Sequence, residues 1–129
     1  MHWQNGSLSG NIEVGSDVVI EQGAYFISTQ AKLMIHDHVV FDPNATIYTG
    51  DHAIDIIGKH IIEITDADKK KQHNIYTKDV EIEAGCWIGT RAIIFKGVTI
   101  GRGSVIGASV IVKKDVPPYT IYVGVPSVK

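Results

Sequence analysis

The stretch from Ile82 to Pro118 repeats with a period of six residues. An aliphatic residue stands at every sixth position, in the order Ile82, Ile88, Ile94, Ile100, Ile106 and Val112. Four positions after each comes a second, mostly small residue, in the order Cys86, Ala92, Val98, Ser104, Val110 and Val116. A period of six contains the strand period of two three times, and it is not the 3.6-residue period of a helix. The pattern therefore predicts a series of short extended segments.

Each six-residue unit offers one large and one small apolar side chain to a core, and its glycine and polar positions suit a change of direction. A single unit cannot bury its own apolar face, so such units stack into a β-solenoid. Three units close one triangular coil of about 18 residues, and coils stack roughly 4.8 Å apart through parallel hydrogen bonds. The period does not fix the hand of the coil, because the general rule for parallel crossovers favours the right hand.

The composition fits one domain over residues 1–129 and argues against several classes of protein. Thirteen glycines and only 8% aromatic residues suit many corners around an aliphatic core. A formal net charge of −2 gives no basic surface for a nucleic acid. No apolar run reaches the length of a membrane span, and Met1–Gln4 lacks the features of a signal peptide. Cys86, the single cysteine, holds an inward position and is expected to be a core residue rather than a reactive thiol.

The repeat continues upstream of Ile82 with a change of register. Its large position is held there by Leu8, Val14, Ile20 and Phe26. The register slips after Phe26 and resumes at Ile35, which predicts an insertion near residues 28–30. At the other end, Pro117 and Pro118 cannot donate to a ladder. We therefore expect the solenoid to end at these prolines, and residues 121–126 to leave it as an extended strand.

One long interruption divides the repeat. The pattern breaks after Ile47 and is restored by Tyr76, Val80 and Ile82, which predicts one projecting loop at about residues 50–75. Loops of this length without regular structure are often functional. The loop begins with the polar, histidine-containing segment Thr49–Asp55, which is the best candidate for chemistry in the chain. The charged run Thr65–Asn74 is interpreted as a solvated loop tip.

Five motifs occur in a fixed order along the chain: Cys86-Trp87-Ile88-Gly89-Thr90, Gly97-Val98-Thr99-Ile100-Gly101, Val105-Ile106-Gly107-Ala108, Lys114-Asp115-Val116-Pro117-Pro118-Tyr119 and Gly124-Val125-Pro126. Together they closely resemble the hexapeptide-repeat acyltransferases. The resemblance implies an all-β, left-handed parallel β-helix, acetyl-CoA as co-substrate, no metal, and a homotrimer with active sites between subunits. The stretch from Gly50 to Lys59 also resembles the branch that O-acetylates sugars of bacterial surface polysaccharides, alongside maltose and galactoside acetyltransferases.

The resemblance assigns the catalytic roles. The family's histidine lies nine residues beyond a Pro-Asn pair, and His52 follows Pro43 by that interval, so His52 is the expected general base. A neutral imidazole can take the proton of a sugar hydroxyl as its oxygen attacks the thioester. Asp51, Asp55 or a backbone carbonyl could hold its tautomer, and the sequence does not choose among them. The backbone amide of Thr90 is the expected oxyanion donor.

The remaining site residues also come from the resemblance. The pantetheine arm is expected to lie against small residues, Gly89, Thr90, Gly107 and Ala108. Lys113 and Lys114 match positions that contact the nucleotide phosphates. Trp87 is expected to flank the cleft against pantetheine or sugar, with a purely structural role at the trimer interface as the alternative. Asp51 and Asp55, with Trp87, are the candidate acceptor-binding residues, and the cytoplasm is the expected location.

Three other functions remain open at this point. The same base could serve transfer to the nitrogen of an amino sugar. The chain could also be a trimeric scaffold without turnover. A zinc enzyme resembling the γ-type carbonic anhydrases would need three histidines at a subunit interface, and His52, His60 and His73 share the loop. Their spacing does not match that family's paired histidines, and the motifs around Trp87 and Pro117 favour acyl transfer.

Overall fold

A computed structural model describes residues 2–3, 6–9, 11–27, 31–50 and 78–124. Within these ranges the chain forms strands and turns without a helix. Three parallel sheets make the faces of a triangular prism. The first face contains β3 (Ile12–Val14), β6 (Leu33–Ile35), β9 (Val80–Ile82) and β12 (Thr99–Ile100). The second contains β4 (Val18–Ile20), β7 (Val40–Phe41), β10 (Trp87–Ile88), β13 (Val105–Ile106) and β15 (Ile121–Tyr122), and the third β5 (Tyr25–Ile27), β8 (Thr46–Tyr48), β11 (Ile93–Ile94) and β14 (Ile111–Val112).

Each coil contributes one strand to each face in turn, as the six-residue period predicts. The coils stack in parallel register, so that Ile88 pairs with Phe41 in the coil before and with Ile106 in the coil after. We call the corner between the first and second faces the first corner, that between the second and third faces the second corner, and that between the third and first faces the third corner. Corresponding residues of successive coils lie above one another at each corner.

The inward positions of the repeat form the core. The large residues Ile82, Ile88, Ile94, Ile100 and Ile106 are all fully buried, as are most of their small partners. Cys86 is buried among them, and its Sγ donates to the carbonyl of Gly101 at 3.1 Å. Burial raises the pKa of the Cys86 thiol, because the thiolate would lose its hydration. The expected role of Cys86 as a core residue is confirmed.

The corners are made by residues in the left-handed backbone conformation. At the second corner this residue always comes three positions after the large inward residue, and it is Gly23, Asn44, Arg91 and Ser109 in successive coils. Glycine and asparagine adopt a positive φ readily, whereas arginine and serine do so at a cost. Here Arg91 is held by its backbone, whose N–H donates to the Pro43 carbonyl at 3.2 Å.

The predicted end of the solenoid at the two prolines is wrong. Val116 forms a parallel bridge with Ile100, and β15 pairs in parallel with β13, so the chain winds past the prolines into a fifth coil. In earlier coils the N–H at the position of Pro117 donates to the following coil, as the Gly101 N–H does to Val116. The described residues contain no coil after the fifth, so proline there removes no bond from the ladder.

The predicted start of the repeat at Leu8 is also wrong. Leu8 lies in β2 (Gly6–Ser9), which pairs antiparallel with β3, and β1 (His2–Trp3) likewise pairs antiparallel with β4. The two residues between β2 and β3 can make a hairpin but not the long crossover that parallel strands require. The slip after Phe26 is confirmed, because nine positions separate it from Ile35 where six separate Ile94 from Ile100. Residues 28–30 lie outside the described residues.

The long interruption begins and ends at the third corner of the second coil. Thr49 is fully buried, and its hydroxyl donates to the Ile27 carbonyl at 3.3 Å. The chain is described as far as Gly50 and again from Lys78, whose N–H donates to the Thr49 carbonyl at 2.9 Å. The two ends of the predicted loop therefore meet at one point of the prism. Residues 51–77 lie outside the described residues, and with them Asp51, His52 and Asp55.

Candidate functional site

The second corner brings together most of the residues predicted to bind the cofactor. Gly89 and Thr90 follow β10 in the third coil, and Gly107 and Ala108 follow β13 in the fourth. Because β10 and β13 pair in register, Gly89 lies above Gly107 and Thr90 above Ala108. Trp87 lies two residues before Gly89 on the outer side of the same face, where half of its surface is exposed.

Two backbone amides at this corner make no hydrogen bond to any described residue. Among the described residues, neither the Thr90 N–H nor the Ala108 N–H has an acceptor. In contrast, the Gly89 N–H donates to the Ile106 carbonyl at 2.8 Å. In the second coil the position of Thr90 is held by Pro43, which has no N–H. The ladder between coils therefore does not need the amide at this position.

The Thr90 side chain is used within the fold. Its hydroxyl donates to the carbonyl of Pro43 at 2.6 Å, and its own carbonyl accepts from the Ser109 N–H at 2.8 Å. Both bonds connect Thr90 to the coils on either side. They fix the position of Thr90, whose N–H has no acceptor among the described residues, so that a donor for a ligand is in place before the ligand arrives.

The two glycines of the corner differ in the space around them. A Cβ added to Gly89 would lie 2.7 Å from the Ile106 carbonyl oxygen and 2.8 Å from the Ala108 nitrogen. A Cβ on Gly107 would meet no atom closer than 3.4 Å, which is ordinary contact with Val110. Gly89 is thus required by the stacking of the coils themselves. Gly107 would instead accept a methyl group at ordinary contact distance without a shift of its neighbours.

Trp87 has a partner that the sequence analysis did not find. Its indole Nε1 donates to Oδ2 of Asp42 at 2.8 Å. Asp42 lies one coil earlier at the register position of Gly89, so the indole reaches diagonally across the second face. The only sequence signal for this pair is the alignment of Phe41 with Ile88 across the long interruption. The two residues are 45 positions apart in the sequence, and no motif connects them.

Lys113 and Lys114 lie apart from this group, at the third corner of the fourth coil. Lys113 directs its Nζ to 5.7 Å from the ring centre of Phe95, and Phe95 stacks on Tyr48 with ring centres 5.5 Å apart. These two aromatic residues were not predicted to take part in the site. A cation above an aromatic ring is stabilised by about 0.5–1 kcal/mol at exposed positions. The ring therefore holds the ammonium against the third face, beside the corner where the chain leaves at Gly50.

The described histidines other than His2 lie away from both groups. Nε2 of His36 is 2.7 Å from Glu81 on the first face, and Nδ1 of His38 is 3.8 Å from Asp17 at the first corner. No three His, Cys, Asp or Glu residues of the described ranges come close enough to hold a metal ion. A zinc enzyme was expected to use His52, His60 and His73. All three lie outside those ranges. In the part of the chain that is described, no helix could cross a membrane.

The chain is similar to several acetyltransferases. The model of the hexapeptide repeat of succinyl-transferase matches residues 79–114. A galactoside O-acetyltransferase of Lactococcus lactis is 36% identical over 94 residues, covering 73% of this chain and 40% of that protein. A hexapeptide-repeat acetyltransferase of Vibrio cholerae, solved with acetyl coenzyme A, superposes with a TM-score of 0.71 at 30% identity. The match covers 90% of this chain and 57% of the Vibrio cholerae chain. A maltose O-acetyltransferase from Clostridium difficile superposes with a TM-score of 0.61 at 33% identity, covering 90% and 56%.

The chain spans about half the length of these relatives, between 40% and 57% of each. The similarity is nevertheless spread over nearly all of the chain in the solved structures. The predicted left-handed parallel β-helix is confirmed by these neighbours and by the stacking of the three faces. By its six-residue repeat and its fold, the chain is a hexapeptide-repeat protein of the left-handed β-helix type, and the proteins to which it is similar are acetyltransferases.

Proposed function

We propose that the protein transfers an acetyl group from acetyl-CoA to a hydroxyl of a sugar, one belonging to a surface polysaccharide or its precursor. The observation that carries this proposal is the pair of amides of Thr90 and Ala108 at one corner, neither of which has an acceptor within the described part of the chain. They are fixed donors in a family of which one solved member binds acetyl coenzyme A. Two relatives are named for O-acetylation of galactosides and of maltose, which supports a sugar hydroxyl as the acceptor. The cytoplasm supplies the acetyl-CoA.

The reaction needs a base and an oxyanion donor. His52 takes the proton of the acceptor hydroxyl while the oxygen forms a bond to the thioester carbonyl carbon, a contribution of order 10²- to 10⁴-fold. The Thr90 N–H donates to the oxyanion that develops on the carbonyl oxygen. Collapse of this intermediate breaks the C–S bond, and the CoA thiolate leaves with the proton returned from His52. Asp51, Asp55 or a backbone carbonyl holds the imidazole tautomer. No acyl-enzyme is formed, and Cys86 is buried away from the reaction.

The residues at the second corner suit the pantetheine arm. The Ala108 N–H is an unpaired donor among the described residues, and the neighbouring Gly107 has no side chain to cover it. Lys113 and Lys114, exposed at the third corner, supply positive charge for the phosphates at the nucleotide end. Phe95 holds the Lys113 ammonium in place. The third face separates these two groups within one chain. An extended cofactor that lies between two chains could reach both.

The outer surfaces of the prism support a homotrimer. The second and third faces carry large exposed apolar side chains, among them Tyr25 (63% exposed), Trp87 (50%), Ile111 (52%) and Ile121 (73%). The first face instead carries Glu13, Met34, Glu81 and Thr99 at its outward positions. Exposed apolar surface of this extent marks an interaction site. Two apolar faces and one polar face per chain are what a ring of three prisms requires, with a cleft between each pair of neighbours.

Release of CoA thiol from acetyl-CoA tests the proposal. The acceptors are neutral mono- and oligosaccharides, amino sugars and their polymers. The proteins compared are wild type, His52→Ala and His36→Ala, which serves as a matched control away from the second corner. We expect release that depends on a sugar and falls at least a hundredfold in His52→Ala but not in His36→Ala. Release with amino sugars alone would favour N-acetylation. A protein that does not bind acetyl-CoA would contradict acyl transfer and leave the trimeric scaffold.

A further inference from the structure

We propose that Asp42 and Trp87 together form the acceptor subsite, and that this subsite selects a neutral sugar with two adjacent hydroxyls. The proposal rests on the proposed function and adds to it the chemical class of the acceptor. Neither the motifs nor the relatives assign a role to Asp42. Its contact with Trp87 is the observation from which the proposal starts.

The hydrogen bond between the two side chains fixes the indole in one orientation. Trp87 Nε1 donates to Asp42 Oδ2 at 2.8 Å, a charge-assisted bond between the ring edge and a carboxylate. The indole lies on the outer side of the second face, between Val40 and Val105 in the adjacent coils, and half of its surface is exposed. A flat apolar surface held this way is ready for the C–H face of a pyranose ring without losing rotamer freedom on binding.

The carboxylate retains binding capacity after it has bound the indole. Oδ1 of Asp42 has no partner among the described residues, and Oδ2 has one. An ionised carboxylate is an acceptor only, with about four lone-pair sites on its two oxygens. Two adjacent sugar hydroxyls can therefore both donate to it. The same charge repels an acceptor that carries a carboxylate or phosphate beside these hydroxyls, which makes Asp42 a determinant of specificity as well as affinity.

The subsite lies close to the proposed oxyanion donor. Asp42 occupies the register position of Gly89, and Gly89 precedes Thr90. Neighbouring strands are about 4.8 Å apart, and three residues span at most about 10 Å. A sugar ring against Trp87 is thus at most about 10 Å from the Thr90 amide along the chain. The adjacent Gly89 and Gly107 present no side chain between the two positions.

Steady-state kinetics of Asp42→Asn, Asp42→Ala and Trp87→Phe tests the proposal. Asn keeps an oxygen for the indole N–H but loses the charge, whereas Phe keeps an aromatic ring but loses the N–H. We expect both Asp42 variants to raise KM for a neutral sugar about tenfold or more, with KM for acetyl-CoA unchanged, since a hydrogen bond to a charged group is lost. We expect Asp42→Asn also to accept acidic sugars better than wild type. Glu13→Gln, which removes a carboxylate from the first face, should change neither KM.

Two readouts distinguish this subsite from a structural role and from failure of the reaction itself. Light scattering should give the same mass for wild type and all variants, and dissociation of the Asp42 variants would overturn the proposal in favour of an interface contact. An unchanged sugar KM, or a changed acetyl-CoA KM alone, would also overturn it. If wild type showed no turnover, calorimetric binding of neutral sugars in the presence of CoA would still test whether the subsite exists. Binding lost in Asp42→Ala supports the subsite, and no binding by wild type overturns it.

Discussion

Single positions at the second corner divide into those where the fold excludes a side chain and those where it would accept one. Gly89 belongs to the first kind, because the backbone of the fourth coil approaches where its Cβ would be. Gly107 belongs to the second kind, since its surroundings would accept a methyl group at ordinary contact distance. Both glycines have a φ outside the left-handed region, so an alanine at either position would meet no backbone strain.

This difference predicts opposite effects of the same substitution. Gly89→Ala should lower the free energy of unfolding by about 1–3 kcal/mol, the usual cost of overpacking against a rigid neighbour. Gly107→Ala should leave it unchanged or raise it by up to about 1 kcal/mol, because alanine restricts the unfolded chain. Urea unfolding of the two variants beside wild type measures both effects. Equal destabilisation of the two would show that the coils are not spaced as described.

At the scale of strands and coils, the six-residue period predicted most of the fold. The inward residues from Ile82 to Val112 are all buried as expected, because the side chains of a strand alternate with the same period that the sequence shows. The two ends were predicted wrongly, the first because the period does not contain strand direction, and the second because the prolines lie where the ladder needs no donor. Leu8 fits the repeat but lies in an antiparallel strand, and Ile121 lies in a fifth coil beyond prolines that interrupt no hydrogen bond.

The candidate site could be predicted only as far as its motifs extend. Thr90, Gly107 and Ala108 lie in short segments whose order and spacing were visible, and the structure brings them to one corner. Asp42 and Phe95 carry no motif. Their roles come from contacts with Trp87 and Lys113 in other coils, and a contact between coils depends on strand register. The long interruption after Ile47 hides the register that brings Asp42 to Trp87. Phe95 and Lys113 lie in register in the uninterrupted part of the repeat, but the repeat does not show that their side chains meet.

For the molecule as a whole, the outer faces predict how chains associate. Ile111 is 52% exposed and pairs with Ile93 on the third face, whereas Met34 lies between Glu13 and Glu81 on the first. We expect wild type to be a trimer and Ile111→Lys to dissociate, because a lysine would be buried without a partner in the apolar interface. Met34→Lys introduces the same charge beside two carboxylates and should leave the trimer intact.

Sedimentation or light scattering at micromolar concentration measures the mass of each variant. A trimer that persists in Ile111→Lys would place the interface elsewhere. Dissociation of Met34→Lys instead would assign it to the first face. Loss of thiol release in the dissociated variant, with its melting temperature retained, would further support a site completed by a neighbouring chain.

The proposed acyl transfer at the second corner depends on one backbone N–H, and a pair of variants at Thr90 tests this proposal most directly. Both Thr90→Ala and Thr90→Pro lose the hydroxyl bond to Pro43, but only proline also removes the amide. Pro43 holds the same register position one coil earlier, so the backbone there accepts proline. We predict that Thr90→Pro folds and lowers kcat for thiol release about 10²- to 10³-fold relative to Thr90→Ala. Equal kcat values for the two folded variants would contradict the role of this amide.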